Sequence, residues 1–132
     1  MCLVDANVIL RLILNDNAQM VAHSKEFIVD NEVLVRNEVL AEVVYVLTKV
    51  YGASRQDVAN CMLAVITTEN ITVESQAIIS YAVDLYGSSR LDFVDCLLCA
   101  YHVIDRQQVF TFDKALQKQL ERQSYQPANT AQ

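Results

Sequence analysis

Four acidic side chains, far apart in the chain, are of the type from which a hydrolytic site can be assembled: Asp5, Glu42, Asp95 and Asp113. Asp5 ends the apolar run Cys2-Leu3-Val4 and is followed by Asn7 and the apolar stretch Val8-Ile9-Leu10. A short apolar run halted by turn-type residues reads as a buried strand, which puts Asp5 at the carboxyl end of a central strand. Asp113 stands just past a second such run, Val109-Phe110-Thr111, and should project from the same edge. In open parallel sheets that edge is where ligands collect. Asp95 falls in the first turn of a helix opened by Asp92-Phe93-Val94. Glu42 sits about one turn into an apolar helix among Val39, Val43 and Val46, where a surface glutamate would have polar company. Carboxylates that converge without basic partners repel one another. A divalent cation relieves that repulsion and accepts oxygen ligands.

Each acid also has an ordinary role open to it. Asp5 or Asn7, Asp92 and Asp113 suit helix N-caps, and Asp95 in a first turn complements the helix dipole. Glu42 has the weakest structural alternative, because burying an unpaired carboxylate is costly.

The elements that must position these groups alternate. Asn7 suits the cap of a first helix, and Asn15-Asp16-Asn17 can cap a second over Ala18 to Val29. Val33-Leu34-Val35 reads as a strand, and Asn37 as the cap of an apolar helix stopped by Gly52. Ser54-Arg55-Gln56-Asp57 resembles a capping box opening a helix to Ile66. Ile71-Thr72-Val73 is β-branched throughout and reads as a third strand. Helices are expected from Ser75 to Tyr86, from Asp92 to Ile104, and from Asp113 to Leu120, with Val109-Phe110-Thr111 as a fourth strand. Strands alternating with helices predict an α/β fold, a three-layer α/β/α sandwich on a parallel sheet of four or five strands. One domain over residues 1–121 and a polar tail over 122–132 are expected.

Composition narrows the class. The chain has 132 residues, 53% hydrophobic and 20% charged, which suits one folded domain with its own core. Only 2 Gly and 1 Pro leave little room for long irregular loops. A net charge of -6 argues against a protein that coats nucleic acid through a basic surface, but not against one that meets phosphate through metal ions. No segment reaches the roughly 18 apolar residues of a membrane span, and no basic-then-apolar leader opens the chain. A cytoplasmic location with the 4 Cys reduced is the expectation.

Four pieces of the chain, in order, resemble a PIN-domain ribonuclease, and specifically the VapC-like toxins of toxin–antitoxin pairs. They are Leu3-Val4-Asp5-Ala6-Asn7-Val8-Ile9-Leu10, the run from Asn37 to Leu47, Leu91-Asp92-Phe93-Val94-Asp95-Cys96-Leu97-Leu98, and Phe110-Thr111-Phe112-Asp113. The resemblance implies that Asp5, Glu42, Asp95 and Asp113 are metal-binding acids holding one or two Mg²⁺ or Mn²⁺ ions. Asn7 and Thr111 would be polar supports, and Asp92 either a further supporting acid or a cap. The activity implied is metal-dependent hydrolysis of RNA phosphodiesters, leaving 5′-phosphate and 3′-hydroxyl ends. The partners implied are RNA, a cognate antitoxin and a second copy in a homodimer. Two departures are visible: residues 121–132 offer no fifth strand, and Cys96 follows Asp95 where the family often has Ala.

The same residues admit other readings. A haloacid-dehalogenase-like phosphatase needs a second Asp two positions after the first, and that position is Asn7. A receiver-type domain needs an acid on the third strand, which Ile71-Thr72-Val73 lacks. A degenerate PIN domain acting as a scaffold would have no reason to keep all four acids. Arg11 and Lys114 are the cations best placed to meet phosphate, or are plain surface charges. Cys96 and Cys99, with His102 a turn later, have zinc-like spacing, but their leucine-rich helix favours packing thiols. His23 reads as a solvated or half-buried histidine, and the helical tyrosines, Tyr45 among them, as core or interface residues.

Overall fold

The computed structural model describes residues 1–130, with residues 124–130 described by their backbone alone. Three short parallel strands, β1 (Cys2–Leu3), β2 (Val33–Val35) and β3 (Ile71–Val73), form a sheet in the order β1-β2-β3. Cys2 pairs with Val33, and Val33 in turn with Ile71. Seven helices join and follow them: α1 (Ala6–Leu14), α2 (Ala18–Asp30), α3 (Asn37–Lys49), α4 (Arg55–Ile66), α5 (Gln76–Ser88), α6 (Phe93–Asp105) and α7 (Lys114–Thr130).

Helical periodicity sets what is buried. α3 turns Leu40, Val43, Val44 and Leu47 inward and packs on α1, α4 and α6. Spacings of three and four place these residues on one face. α5 lies between α4 and α6 with Ile78, Ile79, Ala82, Val83 and Tyr86 buried. Gly87 lies inside the last turn of α5 and does not stop it. A Cβ there would come within 3.0 Å of the Ala59 Cβ, so the missing side chain is what lets α4 and α5 approach. Gly52 does follow the end of α3, with φ at +66°. Asn17, Ser54 and Ser75 cap their helices through bonds from the backbone N–H groups of Met20, Asp57 and Ile78.

Four expectations need correction. β1 is an edge strand with Cys2 and Leu3 exposed, and not a central one. The cap of α1 is Asp5 rather than Asn7, and α3 is capped without the Asn37 side chain: Glu74, just past β3, accepts the Asn37 backbone N–H at 2.5 Å. Val109-Phe110-Thr111 is not a strand, so the sheet has three strands among the described residues. The segment keeps a period of two, with Val109 and Thr111 half-buried and Phe110 and Phe112 each 86% exposed. However, the Thr111 carbonyl accepts from the Gln117 side chain, and β1 is too short to offer a long ladder. Finally, α7 continues past Leu120 to Thr130 through the segment expected to be a polar tail. Residues 131 and 132 of that segment lie outside the described residues. Gln123 follows Leu116 and Leu120 onto the buried face, where its amide donates to the Tyr81 hydroxyl.

Asn70 ties the amino edge of the sheet together. It takes φ of +70°, gives its carbonyl to Val33, and its side-chain amide reaches the carbonyls of Ile28 and Val29 at the end of α2. Asn70→Ala should cost about 2 kcal/mol in urea unfolding, combining left-handed strain with lost hydrogen bonds, and Asn70→Gly should recover only the strain. Equal stability of all three proteins would contradict this role.

Candidate active site

Asp5 leaves β1 at its carboxyl end and opens α1, its Oδ1 accepting from the Val8 backbone N–H at 3.2 Å. Asp113 does the same for α7, accepting from the Leu116 N–H at 2.9 Å. The Thr111 hydroxyl in turn accepts the Asp113 backbone N–H at 3.0 Å, which orders the turn that presents this carboxylate. A single cap bond engages one carboxylate oxygen and leaves the other free for chemistry. Asp92 occupies the N-cap position of α6 but makes no side-chain cap bond, so its carboxylate is not committed to the helix. Asp95 is half-buried in the first turn of α6.

Electrostatics join three of these acids. Burial pushes the Asp95 carboxyl above its ordinary range, and the negative charges of Asp92 and Asp113 push it further. Asp95 therefore stands in a field of like charge, the condition that a bound cation relieves. Asp5 and Glu42 do not take part in that coupling.

Two cavities flank the acids. One of about 740 Å³ holds Asp5 beside Arg36, Glu38 and Val39. The other, about 420 Å³, holds Asp92 and Asp95 beside Ala41 and Tyr45. Glu38, Ala41, Glu42 and Tyr45 share one helical stripe of α3 at spacings of three and four. Glu42 thus sits on the stripe that borders both cavities, and it is exposed. The cost of burying a carboxylate, which singled out Glu42 in the sequence, does not apply to it. Asn7 is exposed in the first turn of α1. Arg11 pairs with Asp16, so its charge is already met, while Lys114 is exposed next to Asp113.

Among the described residues no group of three or more His, Cys, Asp or Glu is closed around a point that could hold a metal ion. The donor chemistry nonetheless fits a hard divalent cation: the candidates are all carboxylates, and their repulsion on Asp95 is uncompensated. The thiols do not fit a metal. Burial pushes Cys96 up to about 12 and Cys99 to about 11, leaving both as neutral packing groups at pH 7. His102 Nδ1 lies 2.8 Å from the Gln107 carbonyl at the end of α6.

Arg36 is a cation the sequence reading passed over. It lies just past β2 at the same sheet edge, lines the Asp5 cavity, and pairs with Glu38 at 2.9 Å and Glu74 at 3.6 Å. Its position after an apolar strand was the available signal. Arg36 also holds the Glu38 carboxyl below its usual range through that hydrogen bond.

In open α/β sheets ligands collect beyond the carboxyl ends of the strands, which is where Asp5 and Arg36 stand. The family model for the PIN domain, a nuclease-type fold, matches residues 2–121, and the chain belongs to that family. No curated protein and no solved structure matches it. No helix among the described residues is long and apolar enough to cross a membrane.

The raised Asp95 carboxyl sets a stability expectation. A group raised in the folded state supports folding when protonated, and that support is lost as pH rises through the raised value. Ionised Asp95 therefore weakens the fold at neutral pH. Asp95→Asn should melt about 2–5 °C higher than the parent at pH 7 in chelator, with the gap closing below about pH 4. A variant that melts lower at pH 7 would show that the repulsion is not present.

Proposed function

We propose that the protein is a metal-dependent endoribonuclease that hydrolyses RNA phosphodiester bonds, acting as the toxin of a VapC-like toxin–antitoxin pair. The observation that carries the reading is the like-charge field on Asp95 from Asp92 and Asp113, with Asp5 standing at the carboxyl end of β1 as a further acid of the same chain. Family membership supports nuclease chemistry in general, and the acids supply the particulars.

In this reading Asp5, Asp95 and Asp113, with Glu42 at the rim, hold one or two Mg²⁺ or Mn²⁺ ions. When bound, such an ion neutralises the scissile phosphate and lowers the pKa of a coordinated water. The chain's own residues do the placing. The cap bonds of Asp5 and Asp113 fix one oxygen of each carboxylate, and Thr111 orders the Asp113 turn. Asp92, free of its cap, supports Asp95, and Asn7 stands beside Asp5 as a polar support. Lys114 is placed to meet the RNA backbone, and Arg11 could do so only by leaving Asp16. A cytoplasmic protein that forms a homodimer and is silenced by an antitoxin completes the proposal.

The competing reading is a degenerate PIN domain that binds without cutting. It draws on the lack of a closed three-ligand group among the described residues and on the exposure of Glu42. Asp5→Asn separates the two, because Asn keeps an acceptor for the Val8 N–H and so preserves the cap while removing the charge. The parent should cleave single-stranded RNA with Mn²⁺ and gain melting temperature from the ion. Asp5→Asn should lose about 100-fold or more in rate with its metal-free melting unchanged. A parent that neither cleaves nor is stabilised by Mn²⁺ would favour the degenerate scaffold.

A further inference from the structure

The cavity beside Asp95 is lined along α3 by residues of a different kind. Ala41, Tyr45, Thr48 and Lys49 line it from α3, Val94 faces them from α6, and Arg55 and Tyr86 also border it. Tyr45 is 62% exposed and Val94 56%, two apolar surfaces left open on different helices that line one groove. The sequence had suggested core or interface packing ahead of base stacking for most of the helical tyrosines, and Tyr45 is not in the core.

Tyr86 cannot offer a ring face in the same way. It is buried, the Arg55 guanidinium lies 3.8 Å from its centroid, and Phe93 meets it edge-on. Its hydroxyl is 2.9 Å from that of Thr48. The aromatic surface available to a ligand here is Tyr45.

Charge points the same way. The chain carries only 10 Lys and Arg against 16 Asp and Glu, and Arg11 and Arg36 are already paired with carboxylates. Arg55 instead gives its hydrogen bonds to the carbonyls of Tyr86 and Leu91 and makes no ion pair among the described residues. Lys49 makes no ion pair among the described residues. Two cations without an ion pair among the described residues therefore line the same groove as Asp92 and Asp95, Arg55 close to the turn before α6 and Lys49 on α3. From Ala41 to Lys49 the helix rises about 12 Å. A volume of about 420 Å³ falls at the small-ligand end of the usual range for binding pockets.

We infer that this groove is the subsite for a nucleotide next to the scissile phosphate of single-stranded RNA, its base held between Tyr45 and Val94 and its phosphate met by Lys49. The inference rests on the nuclease reading and adds to it a place for the substrate. Stacking on an exposed aromatic is tolerant of base identity, so the subsite fixes register more than sequence. Arg55 anchors the floor by holding Tyr86 and the turn before α6, and its field adds to the attraction for phosphate.

Steady-state cleavage of a fluorescent single-stranded RNA by the full chain with Mn²⁺ tests the subsite. Tyr45→Ala should raise KM about tenfold, more than it lowers kcat, and Tyr45→Phe should recover most of that loss. Lys49→Ala should weaken binding and reduce the slope of log KM against log salt by about 0.7 to 1, whereas Lys118→Ala, exposed on α7, should leave the slope as it is. Melting temperatures of the Tyr45 and Lys49 variants should match the parent, since both side chains are exposed. If the parent cleaves and both alanine variants keep its KM and salt slope, the subsite is wrong and the nuclease reading stands. If the parent does not cleave, the nuclease reading itself fails and the subsite with it.

Discussion

Like charges gathered around Asp95 push each other apart, and the fold must hold them there by other means. In this protein helix caps do part of the holding. Asp5 and Asp113 each accept a backbone N–H that would otherwise lack a partner, an interaction of about 1 kcal/mol. The same bonds that start α1 and α7 therefore aim two carboxylates. Asp95 has no such bond to offset its burial, and the charges of Asp92 and Asp113 raise its carboxyl further. A site built this way is less stable empty than filled, which is the usual bargain at functional centres.

α3 carries the spatial logic. Its inward face, Leu40, Val43, Val44 and Leu47, fixes it in the core. Its outward stripe from Glu38 to Lys49 passes from the Asp5 cavity to the cavity shared by Asp95 and Tyr45. Because the inward face is closely packed, the outward stripe has little freedom to shift. Acid, ring and cation keep a spacing set by helix geometry rather than by loops.

The parts of this architecture legible in the sequence were those governed by local rules. β2 and β3 show as β-branched or apolar triplets, and Asn17, Ser54 and Ser75 are residues that caps favour for their short side-chain acceptors. What failed depended on distant partners. Nothing near Cys2-Leu3 says that only one neighbour pairs with β1, and nothing near Asn37 says that Glu74 takes its N–H. Polar Gln123 interrupts the apolar pattern of α7, yet its amide N–H finds the Tyr81 hydroxyl, 42 residues away, on the buried face. Glu42 looked buried because its sequence neighbours are apolar, whereas the helix turns it to solvent. Arg36, Tyr45 and Lys49 are single residues without a motif, and only the cavities they line give them a role.

The central claim is that Asp5, Asp95 and Asp113 act on one divalent ion although their places in the chain are far apart. Substoichiometric Mn²⁺ titrated into isotope-labelled protein reads this directly, because the paramagnetic ion broadens nearby amide resonances. The account predicts that amides around Asp5, Asp95 and Asp113 broaden together, while those around Glu32 and Glu69, acids just before β2 and β3, stay sharp. Broadening centred on those latter acids, or spread evenly over the surface, would contradict it.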